Sequence, residues 1–230
     1  MAEISRICHG ERPQLVLFDL DGTLIDSVPD LADAVDNMLL AHQLTAAGEE
    51  RVRHWVGNGS QMLVRRALAW ATALPDPDQL ETKLLARGHQ DFLAAYRASF
   101  HQRTQLYPGV RDCLEWLHQQ GIPMGLVTNK PEQFVAPLLE HFGLAQYFGL
   151  SLGGDSLPRK KPDPLPLLYS CEHFKVRPEQ ALMVGDSRND VLAAQACQMP
   201  VVCVSYGYNH GEPIQAAQPD RVIDSLTELL

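Results

Sequence analysis

The chain has 230 residues, 45% of them apolar and 20% charged, and acidic residues outnumber basic ones by 28 − 19 = 9. That length and composition suit one large domain or a core carrying a smaller inserted one, and they argue against a disordered chain. The negative balance offers no long-range attraction to nucleic acid or to an anionic membrane, and no apolar run approaches the ~18 residues of a membrane span.

The first predicted element is a buried strand, Gln14 to Leu20 (QLVLFDL), which ends in acidic residues and glycine. A helical stretch follows from about Ser27 to Thr104. Ser27, Pro29 and Asp30 give a helix-start signal, and Leu31, Val35, Met38, Leu39 and His42 line one helical face. Val52 to Val56, Met62 to Ala73 and Leu80 to Phe100 also read as helical. Asp30, Asp33 and Asp36 read as a solvated acidic face, and Arg65 and Arg66 as solvated helix positions. The motif Gly57-Asn58-Gly59 lacks the third glycine and the preceding strand of a dinucleotide fingerprint, so it reads as a loop between helices.

From Tyr107-Pro108-Gly109 onward, strands alternate with helices. Val110, Cys113, Leu114 and Leu117 make one helical face, and Phe134, Val135, Leu138, Leu139 and Phe142 a second. Val191, Leu192, Ala194 and Ala196 suggest a third. Ile122 to Val127, Ala181 to Val184 and Val201 to Val204 read as strands, with a weaker candidate at Phe148 to Leu152. This alternation predicts an α/β fold: a doubly wound parallel sheet with a helical domain inserted after its first strand. The expected division is 1–26 and 105–230 for the core and 27–104 for the insertion.

The five cysteines, Cys8, Cys113, Cys171, Cys197 and Cys203, are scattered and form no CxxC pair. They predict reduced thiols in a cytoplasmic setting, with no disulfide framework or zinc site. The nine histidines make no HxxxH pair, and the N-terminus carries no apolar signal segment.

Ligands of doubly wound sheets bind beyond the carboxyl ends of the strands, so the polar residues there are the candidates for chemistry. Asp19 and Asp21 lie two apart at the end of the first strand, where they tend to project on one side and repel each other unless a cation intervenes. Thr128, Asn129 and Lys130 follow the second clear strand. Asp186 follows the third, with Asp190 four residues on. Lys161 sits in a Lys-Lys-Pro-Asp-Pro run before a predicted helix. Taken singly, each has a plain reading as turn, cap or solvated loop; their joint occurrence at the ends of one sheet does not.

FDLDGTLIDS, VTNK, KKPDP and GDSRND together resemble the four motifs of the haloacid dehalogenase superfamily. The resemblance implies a HAD-like Rossmannoid core with an inserted cap, and hydrolysis of a small phosphate monoester through an aspartyl-phosphate. Asp19 is then the nucleophile and Asp21 the acid and base. Thr128, Asn129, Lys161 and Gly22 hold the phosphoryl group. Asp19, the Asp21 backbone carbonyl and Asp186 hold Mg²⁺, with Asp190 behind them. The presence of Asp21 sets dehalogenation aside. The segments RVRHWVGNGSQMLVRRAL and GYNHG are similar to a branch acting on a two-carbon ester, 2-phosphoglycolate, and make Gly57, Asn58 and Gly59 a candidate substrate loop. A sugar phosphatase or phosphomutase is the alternative enzyme, and a phospho-acceptor signalling domain the alternative that is not one. No nucleic-acid or membrane partner is expected.

Overall fold

The computed structural model describes Ile4 and residues 11–230. Cys8 and the segment on which the expectation of no signal sequence rests lie outside them. The chain divides into two compact units, 1–26 with 106–230, and 27–105.

The first unit is built on a six-stranded sheet. Its strands are β1 (Leu15–Phe18), β4 (Met124–Val127), β5 (Leu150–Leu152), β6 (Ala181–Gly185), β7 (Val201–Val204) and β8 (Arg221–Ile223). Their order is β5-β4-β1-β6-β7-β8, and every neighbouring pair is parallel. β2 (Ile25–Asp26) and β3 (Gln105–Leu106) pair as a separate two-stranded ribbon where the chain crosses between units. β1, β4, β6 and β7 are buried at every position, so each reads as a continuous apolar run, as parallel strands covered on both faces do. The winding reverses at β1: β4 lies on one side and β6 on the other. That reversal opens a crevice at the carboxyl ends of these three strands.

Helices between the strands follow their apolar spacing. In Val110–Gln119 the buried residues are Val110, Cys113, Leu114 and Leu117, and in Val135–His141 they are Val135, Leu138 and Leu139. Arg188–Ala196 differs from its sequence reading. Asn189, Asp190, Val191, Ala193 and Ala194 are buried, whereas Leu192 is exposed, because the helix phase is fixed by the buried Asp190 rather than by the apolar residues alone. β8 was not expected. Its residues are only partly buried except Ile223, which removes the apolar run that marks the central strands.

The second unit is helical: Val28–Ala41, Glu49–Arg53, Ser60–Ala71 and Thr82–Ser99. Here the acidic run is not a solvated face. Asp30 is fully buried, and its carboxylate accepts from the backbone N–H groups of Arg103 (2.9 Å) and Thr104 (2.8 Å) and from Thr104 Oγ1 (2.6 Å). Asp36 accepts from the N–H groups of Ala47 and Gly48, and Asp33 pairs with Arg103. Loop N–H groups left without helical partners recruit these carboxylates, and helical periodicity does not reveal that. Arg66 is likewise engaged: it donates to the Trp55 carbonyl (2.7 Å) and to Asn58 Oδ1 (2.8 Å), bracing the loop that carries Gly57 and Gly59. No helix among the described residues is long and apolar enough to cross a membrane.

Candidate active site

Asp19, Thr128 and Asp186 each stand one residue beyond a strand of the reversal point. Two of the main chains still belong to the sheet, Asp19 N–H donating to the Val184 carbonyl at 2.9 Å and Thr128 N–H to Leu152 at 3.0 Å, while Asp186 N–H donates to Asp190 Oδ2 at 3.2 Å. The side chains are thus aimed from rigid strand ends. Asp19, Thr128, Asn129, Lys130, Lys161, Asp186 and Asp190 are all buried.

The charges fall into two groups. In the first, Lys161 Nζ lies 3.0 Å from Asp19 Oδ1 and 2.6 Å from Asp190 Oδ1. Asp190 Oδ2 accepts from the Ser187 N–H (3.0 Å) and hydroxyl (2.7 Å), so Asp190 both neutralises Lys161 and ties down the start of its own helix. Asp186 accepts from Thr23 Oγ1 (2.9 Å) and from the Tyr208 N–H (2.6 Å). In the second group, Lys130 Nζ lies 2.9 Å from Asp21 Oδ1. Sequence reasoning gave Lys130 no role. The signal was there in VTNK, but an isolated lysine after a turn reads as solvated. Asn129 joins the two loops, donating from Nδ2 to the Lys161 carbonyl at 2.9 Å.

Gly22 has a different place from that expected of a phosphate donor. Its N–H donates to the Ile25 carbonyl at 2.9 Å, which leaves no second hydrogen for a phosphoryl oxygen. What the position requires is the absence of a side chain. Its φ is +93°, and a Cβ would stand 2.3 Å from Asp186 Oδ2.

Burial pushes the Asp19 carboxyl up to about 6, against the opposing pull of Lys161. Burial also holds Asp186 well above the usual carboxylate range, helped by the charges of Asp19 and Asp190. On Lys161 burial acts downward, but Asp19 and Asp190 reverse it and the ammonium is held above its ordinary range. Asp19, Asp186 and Asp190 can each offer one oxygen within 4.8 Å of the others, against a single ammonium. Asp19 Oδ1 is buried and, although near Lys161, accepts no hydrogen bond of good geometry. An excess of buried carboxylate oxygen with one acceptor left over suits a hard divalent cation. Asp21 is not in this cluster, because its carboxylate turns to Lys130. Gly57, Asn58 and Gly59 lie in the helical unit.

A crevice of this kind, at the switch point of a parallel sheet, with carboxylates from two strand ends and a hydroxyl from a third, fits a hydrolase of the haloacid dehalogenase-like family. That family's model matches residues 13–198, and the chain belongs to it. Within the family the chain is similar to the phosphoglycolate phosphatase of Pseudomonas fluorescens (strain Pf0-1), with 52% identity over 100% of this chain and 83% of that protein. It is similar also to the phosphoglycolate phosphatase of Nitrosococcus oceani, with 47% identity over 95% of this chain and 96% of that one. Among solved structures, the crystal structure of a predicted phosphoglycolate phosphatase from Haemophilus somnus superposes with a TM-score of 0.88 at 39% identity, covering 94% of this chain and 96% of that one. The chain is a phosphatase, and phosphatases of this family use a divalent metal.

Proposed function

We propose that the chain hydrolyses 2-phosphoglycolate to glycolate and phosphate with Mg²⁺ as its metal. The carrying observation is Asp19: a buried carboxylate at the switch point, oriented by a rigid strand end, with a cation beside it and one oxygen that accepts no hydrogen bond. Two half-identical relatives that bear the phosphoglycolate phosphatase name support the choice of substrate.

In this reading Asp19 attacks phosphorus in line and forms an aspartyl-phosphate while the ester oxygen departs. Asp21 gives the leaving oxygen a proton, then takes one from the water that cleaves the intermediate. Lys161 and Thr128 bind the phosphoryl oxygens, and Asn129 keeps their two loops together. Asp19, the Asp21 carbonyl and Asp186 would hold Mg²⁺, which neutralises charge between the two anions. Asp190 fixes Lys161 and the 185–187 loop. We infer that residues 27–104 form a cap that selects the substrate, with Gly57, Asn58 and Gly59 as its contact loop. The free thiols of Cys113, Cys171, Cys197 and Cys203 support a cytoplasmic setting.

Phosphate release from 2-phosphoglycolate, hexose phosphates and pyrophosphate, each with Mg²⁺, tests the substrate. Preference for a hexose phosphate, or its isomerisation without phosphate release, overturns it. Asp19→Asn should lower turnover by at least about 10³-fold, the scale expected when a covalent nucleophile is removed, with the circular dichroism spectrum unchanged. Full activity in that variant removes Asp19 from the role of nucleophile.

A further inference from the structure

Lys130 is a buried lysine to which the reaction above gives no task. Its side chain is 2% exposed, and lysine is almost never so buried without a partner. The partner is Asp21, whose two oxygens lie 2.9 and 3.2 Å from Nζ. The backbone beneath Lys130 is held from both sides. Its N–H donates to Thr128 Oγ1 at 3.2 Å, and its carbonyl accepts from the Gly154 N–H at 2.7 Å. Glu132 N–H donates to Asp155 Oδ1 at 2.7 Å. The two loops are so close that a Cβ on Gly154 would stand 2.4 Å from the Asn129 carbonyl oxygen. The ammonium therefore reaches Asp21 from a fixed strand end.

Asp21 follows β1 in a turn, its side chain is 12% exposed, and an aspartate side chain turns about two torsions. An acid or base must stay within ~2.6–3.2 Å of the atom with which it exchanges a proton. We propose that Lys130 is a positioning residue: its ammonium fixes the Asp21 carboxyl group for proton exchange with the leaving oxygen and then with the attacking water. The two lysines divide the work, Lys161 serving Asp19 and Asp190, Lys130 serving Asp21. The inference rests on Asp21 as the acid and base of the proposed reaction.

The test follows two reactions of the Mg²⁺-loaded protein. One is steady-state hydrolysis of 2-phosphoglycolate, whose alkoxide must be protonated. The other is the single-turnover burst of nitrophenolate from p-nitrophenyl phosphate, which leaves without a proton. Asp21→Asn should impair the first far more than the second. Lys130→Met should do the same more weakly, with kcat on 2-phosphoglycolate falling about 10²-fold and the burst rate about tenfold less than that. Added to Asp21→Asn, it should change the burst less than about twofold, because a residue acting through Asp21 has nothing left to act through. Lys130→Gln, which keeps a donor, is the second variant should the methionine protein melt early, and it should show the same selectivity with a smaller loss. Equal losses on both reactions, or a multiplicative loss in the double variant, overturn the inference and place Lys130 on the phosphoryl group or in the fold. If Asp21→Asn itself shows no selectivity, it is the functional reading that fails.

Discussion

At Asp19 two effects oppose each other. Burial disfavours the carboxylate and pushes its pKa to about 6, while Lys161 at 3.0 Å favours it. The carboxylate is thus kept poorly solvated without losing its counter-ion, a usual arrangement for a group whose basicity matters. Crowding around Asp186 is a second residue-scale device. A Cβ on Gly22 or on Gly207 would stand within 2.3 or 2.2 Å of its atoms, so two loops close on one carboxylate and fix it. Gly22→Ala must either move Asp186 or abandon φ = +93°. We expect a stability loss of about 1–2 kcal/mol from the backbone alone and a drop in kcat/KM of roughly 100-fold or more from the displaced carboxylate. Urea unfolding and initial rates measure the two, and an active, unstrained Gly22→Ala protein would show that the approach is not needed.

At the scale of elements, the helical unit depends on polar contacts that its apolar faces do not announce. Asp30 lies in the first turn of Val28–Ala41 and binds the backbone at 103–104, after the last helix of that unit. It therefore ties the beginning of the insertion to its end. Asp30→Ala leaves the part-buried Arg103 N–H and the buried Thr104 N–H without their acceptor, and leaves the Thr104 hydroxyl with the Phe100 carbonyl at 3.2 Å alone. That should cost roughly 2–4 kcal/mol, given about 1.5–3 kcal/mol for a hydrogen bond to a charged group and a penalty for each orphaned donor. Hydrogen exchange should speed up first at Arg103 and Thr104, and uniform exchange across the chain would count against a local clamp. Arg66 has a comparable place on the 55–58 loop, where the guanidinium serves two acceptors at once.

For the whole molecule, the balance of buried charge makes stability depend on pH and metal together. Asp19 and Asp186 have folded-state pKa values above their ordinary ones. A carboxyl group raised in this way supports the fold fully below about pH 4, and that support disappears as pH rises through the folded value, about 6 for Asp19. The metal-free protein should therefore melt lower at pH 8 than its other groups alone would dictate. Mg²⁺ held by the ionised carboxylates, as proposed, should stabilise the fold increasingly across the same window. At about 100 times its Kd the cation contributes roughly 2.7 kcal/mol, or about 5–10 °C in Tm for a chain of this size. Calorimetry with and without Mg²⁺ should show that shift at pH 8 and a much smaller one at pH 5. An equal shift at both would mean that these carboxylates are not the binding site.

What the sequence determined by itself was the layering and the strand ends. Buried parallel strands are short apolar runs, and helices between them repeat at 3.6 residues, so both are local signals. Asp19, Asp21, Thr128 and Asp186 were legible as candidates because the chemistry of such a sheet gathers where each run stops, and Lys161 and Asp190 through the motifs that contain them. Tertiary structure alone decided which of these groups meet. Lys130 beside Asp21, Tyr208 donating to Asp186 and Asn129 on Lys161 join residues 109, 22 and 32 positions apart. The buried Asp30 on the 103–104 backbone belongs with them, as does the Gly22 N–H turned to Ile25. A carboxylate or lysine looks the same in sequence whether it meets water or a buried partner. Only the packed chain removes the water and leaves each charge with the group that stabilises it.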